Sequence, residues 1–382
     1  MKSVGASWRV DAVAGVTDRL RAFRNRLVGD PRIRNFVISN PLTRGIGRHK
    51  ASELFDLCAG FVYSQILKAC LQVGLFEMLH DRALSLDEIA REAKLSPDAT
   101  RRLVDAGIAL KLLERRSGDR VGLGELGAAL NANPGVKAMV RHHADLYDDL
   151  RDPVALLRGE VQGAKLNSYW SYATSARPAD LSSESVAEYS DLMSASQQFI
   201  AQEVLAAYPM QRHSLLLDVG GGDGTFAFAA ARSAPDLEVR VFDLPNVAQR
   251  ARERILAEGL GRRARAIGGD FVRDRLPPGA DIISLVRVLY DHGDEKVLAL
   301  LKAVRAALPA GGRLLIAEPM ADAPGAERVG DAYFGFYLLA MGSGRARRPT
   351  ELMELLRAAG FSRSWVVATR MPLQTGLVVG EA

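Results

Sequence analysis

The run Asp218-Val219-Gly220-Gly221-Gly222-Asp223-Gly224-Thr225 constrains this chain more than any other feature. It follows the apolar run Leu215–Leu217 and precedes a helical pattern starting near Phe226. Glycines at 220, 222 and 224 allow a tight turn and let a ligand approach the backbone. From residue 213 onward, short apolar runs alternate with helical ones: SLLLDVG, EVRVFDL, ARAIGGD, ADIISLV and GGRLLIAEP, then WVVAT and QTGLVVG. That alternation predicts an α/β domain over 211–382, a mostly parallel sheet with crossover helices.

The N-terminal half follows another pattern. Residues 51–80 read as one long helix, with Leu54, Phe55, Cys58, Phe61, Val62, Ile66, Ala69 and Val73 at helical spacing. The stripe is too broad for one domain to bury, which predicts a homodimer. Ser85 and Glu88 form a capping box, Ser96-Pro97 starts a second helix, and LLERRSGDRVGL gives two strands about Ser117-Gly118. Helix, helix and hairpin is a winged-helix layout. Its segment has no dense basic stripe, so the expectation is dimerisation within 51–145 and no nucleic acid. Residues 146–210 read as a helical linker and substrate wall, with the aromatic cluster Tyr169-Trp170-Tyr172. His142 and His143 are adjacent, point to different helix faces and lack further ligand spacing, so no metal is expected.

Charge is unevenly spread. Residues 1–50 hold eleven Lys/Arg against three Asp/Glu, within a chain of net +5. This basic arm interleaves Arg with Leu, Ile and Phe, with Pro31 and Pro41 as breaks. It reads as a solvated or partner-packed extension, or as a contact with a membrane surface. The start lacks a signal-peptide core, and the late apolar run Tyr333–Met341 is far below the ~20 residues of a membrane span. No spanning helix is expected. Cys58 and Cys70 lie twelve positions apart on one helix, too far to bridge, so both should stay reduced and the location cytoplasmic.

Three carboxylates mark a ligand crevice. Asp218 precedes the glycines, Asp243 ends the next strand 21 residues after Gly222, and Asp270 with Phe271 follows the third. A nicotinamide fingerprint would place its last glycine at 225, which is Thr. The spacing fits instead a loop binding S-adenosyl-L-methionine. Asp218, Gly220 and Gly222 would form the loop, Asp243 and Leu244 the ribose end, and Asp270 and Phe271 the adenine end. Arg287 is a candidate for the cofactor carboxylate.

The motifs DVGGGDG, FDLP, GDF, the pair Asp291/Asp294 before a helix, and AEP at Glu318 resemble the caffeate/hydroxyindole-type O-methyltransferases. The resemblance covers the chain from about residue 51. It implies a Rossmann-like methyltransferase domain behind an N-terminal helical winged-helix dimerisation domain. The family's general-base His aligns with Tyr290, its following Trp with His292, and a second carboxylate near Ala346-Arg347 is missing. The variant Arg-Val-Leu-Tyr-Asp-His and LFDLCAGFVYSQIL at 54–67 resemble the carotenoid branch, which methylates a tertiary hydroxyl of hydroxyneurosporene or demethylspheroidene. On that reading Tyr290 orients the hydroxyl, His292 is the candidate proton acceptor titrating near neutrality, and Asp291 and Glu318 orient neighbours. The basic arm and the aromatic belt around Tyr333 suit a long apolar substrate. A phenol, polyketide or bacteriochlorophyll-type ring is the alternative acceptor. A winged-helix regulator that binds S-adenosylmethionine is the alternative of another class.

Overall fold

The computed structural model describes residues 5–161, 163–169, 197–373 and 375–382. Trp170 and Tyr172 of the aromatic cluster lie outside the described residues. The chain divides into two compact units, Met1–Ala128 and Ala129–Ala382.

In the first unit, helix Gly5–Gly29 ends before Asp30, whose carboxylate caps helix Pro31–Ser39 by accepting from Arg32 N at 2.7 Å. Helix Arg44–Gln72 packs back on Pro31–Ser39 where Gly47 meets the side chains of Val37 and Ile38. The long helix therefore starts seven residues earlier than the apolar stripe suggests. It stops at Gln72, short of the expected 80, because Gly74 turns the chain at φ +76. A short helix, Leu75–Met78, follows.

The capping box of Ser85 and Glu88 is present, and Ser96 caps helix Pro97–Ala109. Strands β2 (Leu113–Arg116) and β3 (Arg120–Leu123) form the hairpin. The two-residue β1 (Leu84–Ser85) pairs with β3 and completes the winged-helix sheet. Along Arg44–Gln72, Leu54, Phe55, Leu57 and Phe61 remain mostly exposed. This helix is also long and apolar enough, by length and composition, to cross a membrane, with a mean hydropathy of 1.4 over its richest window. Cys58 is exposed and Cys70 buried, and neither is bridged.

The second unit is built on a seven-stranded sheet. Its strands are β4 (Leu215–Val219), β5 (Glu238–Asp243), β6 (Ala264–Gly268), β7 (Ile282–Val286), β8 (Arg313–Glu318), β9 (Arg363–Val367) and β10 (Gly376–Glu381), in the order β6-β5-β4-β7-β8-β10-β9. β6 to β8 run parallel across the order, and only β10 is antiparallel to its neighbours. The chain moves outward from β4 to β6, then returns to β7 on the other side of β4. That reversal opens a crevice at the carboxyl ends of β4 and β7. Near-continuous apolar runs such as LLLDV and IISLV form strands because both sheet faces are covered.

The glycine turn needs its glycines for stated reasons. Gly220 has φ +67, and a Cβ there would lie 2.8 Å from the Val288 side chain. Gly224 has φ +87 and starts helix Thr225–Ser233, and a Cβ there would lie 2.3 Å from the Phe228 ring. Gly224→Ala should therefore destabilise the protein by about 1–3 kcal/mol from overpacking alone. Denaturant unfolding of the variant checks this, and an unchanged midpoint would contradict the packing.

Candidate active site

Asp243 ties the first two strand ends together. Its Oδ2 accepts from Gly222 N at 2.8 Å and its Oδ1 from Leu244 N at 2.7 Å. Burial raises its pKa to about 6, against the pull of those two backbone donors. Asp270 lies behind β6, accepting from Val272 N at 2.8 Å, with Phe271 beside it. Asp218 is fully buried in β4, beneath the turn. It accepts from the Ser284 hydroxyl at 2.5 Å, and burial raises its pKa to about 7. The structure thus brings Gly220, Gly222, Asp243, Leu244, Asp270 and Phe271 to the crevice, whereas Asp218 supports the loop from below. Asp223, not singled out from sequence, pairs with Arg254 at 2.6 Å and braces Thr225 at 2.7 Å. It is one of two acidic residues in the run, and its spacing alone did not mark it.

Across β7 the chain enters strain. Arg287 has φ +59, a conformation rare for a bulky side chain and concentrated at functional sites. Its guanidinium lies 6.0 Å from the centre of the Tyr290 ring. Tyr290 sits on a short 3₁₀ turn, Leu289–Asp291, is 1% exposed, and packs edge-on against Phe334. Its backbone N–H donates to Glu318 at 3.1 Å. Burial pushes the Tyr290 phenol well above its ordinary pKa, against the opposing pull of Arg287. Tyr290 is therefore a neutral hydrogen-bonding group.

His292 faces another way. It lies edge-on to Phe271, with ring centres 5.6 Å apart, on the adenine side of the expected crevice. Burial, reinforced by Lys296 and Arg347, lowers its pKa to about 3. The expectation that it titrates near neutrality is corrected, because a 4%-exposed ring beside two cations does not take a third charge. Asp291 is buried, and its carbonyl accepts from the Ser343 hydroxyl at 2.8 Å.

The loop is held by a residue that sequence reasoning missed. Arg347 has none of its side chain exposed. It donates to Leu289 O at 2.9 Å, to His292 O at 2.7 Å and twice to Asp294 Oδ1, at 2.9 and 2.7 Å. The signal was the cluster Arg345, Arg347 and Arg348, in which nothing local marks the buried member.

The two histidines first weighed as metal ligands belong to the wall of this site. Among the described residues there is no cluster fit to hold a metal. On helix Pro134–Asp149, His142 is hydrogen-bonded to the Tyr337 hydroxyl at 2.9 Å and His143 to the Tyr333 hydroxyl at 2.7 Å. Burial lowers both histidines, His143 to about 4. Tyr290, Phe334, Tyr337 and Met341 form one buried cluster with Leu146 and Leu166. A cavity of about 450 Å³ opens behind it, lined by Leu156, Val161, Leu338 and Leu339 among others. That volume lies within the range of small-molecule sites.

Glu318 generates a prediction. It is completely buried, and burial raises its pKa from 4.5 to about 8 despite Arg347. A carboxyl raised in the folded state contributes stability that is full below its ordinary range and lost as pH rises through the folded value. Without ligand, the protein should lose stability between pH 5 and pH 9. Glu318→Gln keeps an acceptor for Tyr290 N–H and should flatten that fall by on the order of 2–4 kcal/mol. Thermal melts of both proteins across this range provide the measurement, and parallel curves would contradict the assignment.

The comparisons agree with this geometry. Residues 55–131 match the O-methyltransferase dimerisation domain and residues 147–362 the O-methyltransferase domain. Demethylspheroidene O-methyltransferase of Cereibacter sphaeroides is 43% identical over 337 residues, 88% of each chain. The enzyme of the same name from Rhodobacter capsulatus is 38% identical, over 94% of this chain and 89% of that one. Acetylserotonin O-methyltransferase of Mus musculus is 32% identical over 81% and 83%. Among solved structures, a methyltransferase of calicheamicin biosynthesis in its SAH-bound form matches with TM-score 0.72 and 26% identity, over 87% of this chain and 98% of that one. The matched dimerisation domain supports a homodimer. With the glycine turn, the three strand-end carboxyls and both domains matched, the chain belongs to the O-methyltransferase family and is an S-adenosylmethionine-dependent enzyme.

Proposed function

We propose that this enzyme methylates the tertiary hydroxyl of an acyclic carotenoid of the hydroxyneurosporene/demethylspheroidene type, in the cytoplasm at the inner membrane. The observation that carries this reading is that, among the described residues, no histidine on the Tyr290 side of the site is poised to take a proton. Tyr290 is held neutral, and His142, His143 and His292 all have lowered pKa values. A phenol acceptor is best served by a group that removes its proton before attack. A tertiary alcohol is too weak an acid for that, and gains more from orientation. The relatives at 43% and 38% identity carry the corresponding name.

The residues present fit the cofactor. Each Asp243 oxygen keeps acceptor capacity beyond its one backbone bond, as a ribose diol requires. A Cβ on Gly222 would meet nothing within 4 Å, so the turn's outer face is open. Gly220, Gly222, Asp243 and Leu244 would hold the amino-acid and ribose portions, Asp270 and Phe271 the adenine, and Arg287 the carboxylate. Bound S-adenosylmethionine supplies an electrophilic methyl group on a cationic sulfur. Tyr290 fixes the hydroxyl, which keeps its proton until the new carbon–oxygen bond forms. The protonated ether formed by the transfer is acidic enough to give its proton to water, so His292, held neutral against Phe271, stands outside the proton path, with Asp291 and Glu318 as positioning residues. Alignment of this kind is worth on the order of 7–11 kcal/mol of barrier.

Two outcomes are expected. Asp243→Ala should weaken S-adenosylmethionine binding by roughly 1.5–3 kcal/mol per lost charge-assisted bond, in a folded protein. Calorimetry with unchanged affinity would sink the ribose assignment. With labelled S-adenosylmethionine and a panel of hydroxylated carotenoids and phenols, label should enter the tertiary-alcohol carotenoid. Its rate should show no step between pH 6 and 7, and Tyr290→Phe should lower turnover without creating one. Transfer to phenols alone, or a step near pH 6.5 that vanishes in His292→Gln, would overturn the reading.

A further inference from the structure

We propose that the helical segment of residues 17–50 docks on the surface of an anionic lipid bilayer and gives the enzyme access to an acceptor dissolved there. The second clause rests on the carotenoid reading, and the first does not. The segment lies outside both matched domains, 55–131 and 147–362. It holds nine Lys/Arg against Asp18 and Asp30. All eight of its arginines and Lys50 are exposed. Leu20, Phe23, Val28, Phe36, Leu42 and Ile46 are interleaved with them and between 59% and 91% exposed. Helix Pro31–Ser39 buries no residue at all.

Large apolar side chains flanked by guanidinium groups match the headgroup–acyl boundary, where the former enter and the latter meet phosphates. A second copy of the chain fits this surface poorly. A two-fold interface apposes a surface with its own copy, and here that places arginine against arginine. The dimerisation stripe at Leu54–Phe61 differs in this respect, since it contains Asp56 and no arginine. A nucleic acid would answer the charge but leave Val28, Leu42 and Ile46 without an apolar partner.

The test uses the full-length protein and flotation with vesicles of phosphatidylcholine, with and without phosphatidylglycerol. Wild type should float with the anionic vesicles, less at high salt, and only weakly with the neutral ones. Two variant sets separate the contributions: Arg24→Gln with Arg26→Gln, Arg32→Gln and Arg34→Gln, and Phe23→Ser with Phe36→Ser and Leu42→Ser. Each should cut vesicle partitioning at least ~10-fold. With acceptor in detergent micelles both sets should turn over as wild type does, while their KM for vesicle-embedded acceptor should rise. Flotation reads the docking even where no carotenoid is methylated, so the two readings fail separately. Equal flotation of wild type and variants, tighter binding of wild type to duplex DNA than to anionic vesicles, or loss of dimer mass in either set by light scattering would overturn the proposal.

Discussion

Arg347 carries a full charge with no surface exposed, and the carbonyls of Leu289 and His292 together with the Asp294 carboxylate surround it. A buried guanidinium is tolerable only when its donors are satisfied, so the loop must close around it. That closure fixes the short turn carrying Tyr290. Neighbouring contacts act in the same direction: Arg345 N donates to Tyr290 O at 2.9 Å, and the Ser343 hydroxyl reaches Asp291 O. The segment 343–347 is a clasp on the loop that follows β7.

The fold was legible because its determinants are local and periodic. Strand runs, the glycine turn and the capping box each follow from a few adjacent residues, and each appears where the pattern placed it. The placement of Asp243 and Asp270 was legible for a related reason, since each follows directly from a strand end. What was not legible depends on burial at long range. Nothing near His292 in sequence shows that Phe271 and Arg347 gather around it and, with the neighbouring Lys296, suppress its charge. The pairing of His142 with Tyr337 spans 195 positions, and that of His143 with Tyr333 spans 190. The helix expected at 51–80 was misjudged at both ends, because its start depends on the packing at Gly47 and its end on one glycine.

The electrostatics of the acceptor side follow a single trend. Burial pushes Tyr290 and Tyr333 up, His143 and His292 down, and Glu318 up. Each shift favours the uncharged form. A wall made of neutral hydrogen-bonding groups and aromatic faces suits a substrate that is apolar except for one hydroxyl. Among the described residues no histidine on this wall takes a proton easily, which leaves positioning and hydrogen bonds already formed as its contribution. A tyrosine at position 290, where the resemblance leads one to expect a histidine, fits that environment. A histidine at a 1%-exposed position next to Arg287 would be held neutral too.

The exposed apolar surface of the N-terminal unit separates by charge into two parts that suit different partners. Over Leu54–Phe61 the apolar side chains stand on a helix with few charges, and a second copy can bury them without placing like charges together. Over residues 17–50 the same kinds of side chain alternate with arginine, and burial against protein would strand guanidinium groups away from water and counter-charge. A bilayer surface resolves that conflict, because it offers hydrocarbon and phosphate within a few ångströms of each other. The two surfaces meet near residue 50, so one continuous run of helix can serve the partner copy at one end and the lipid at the other.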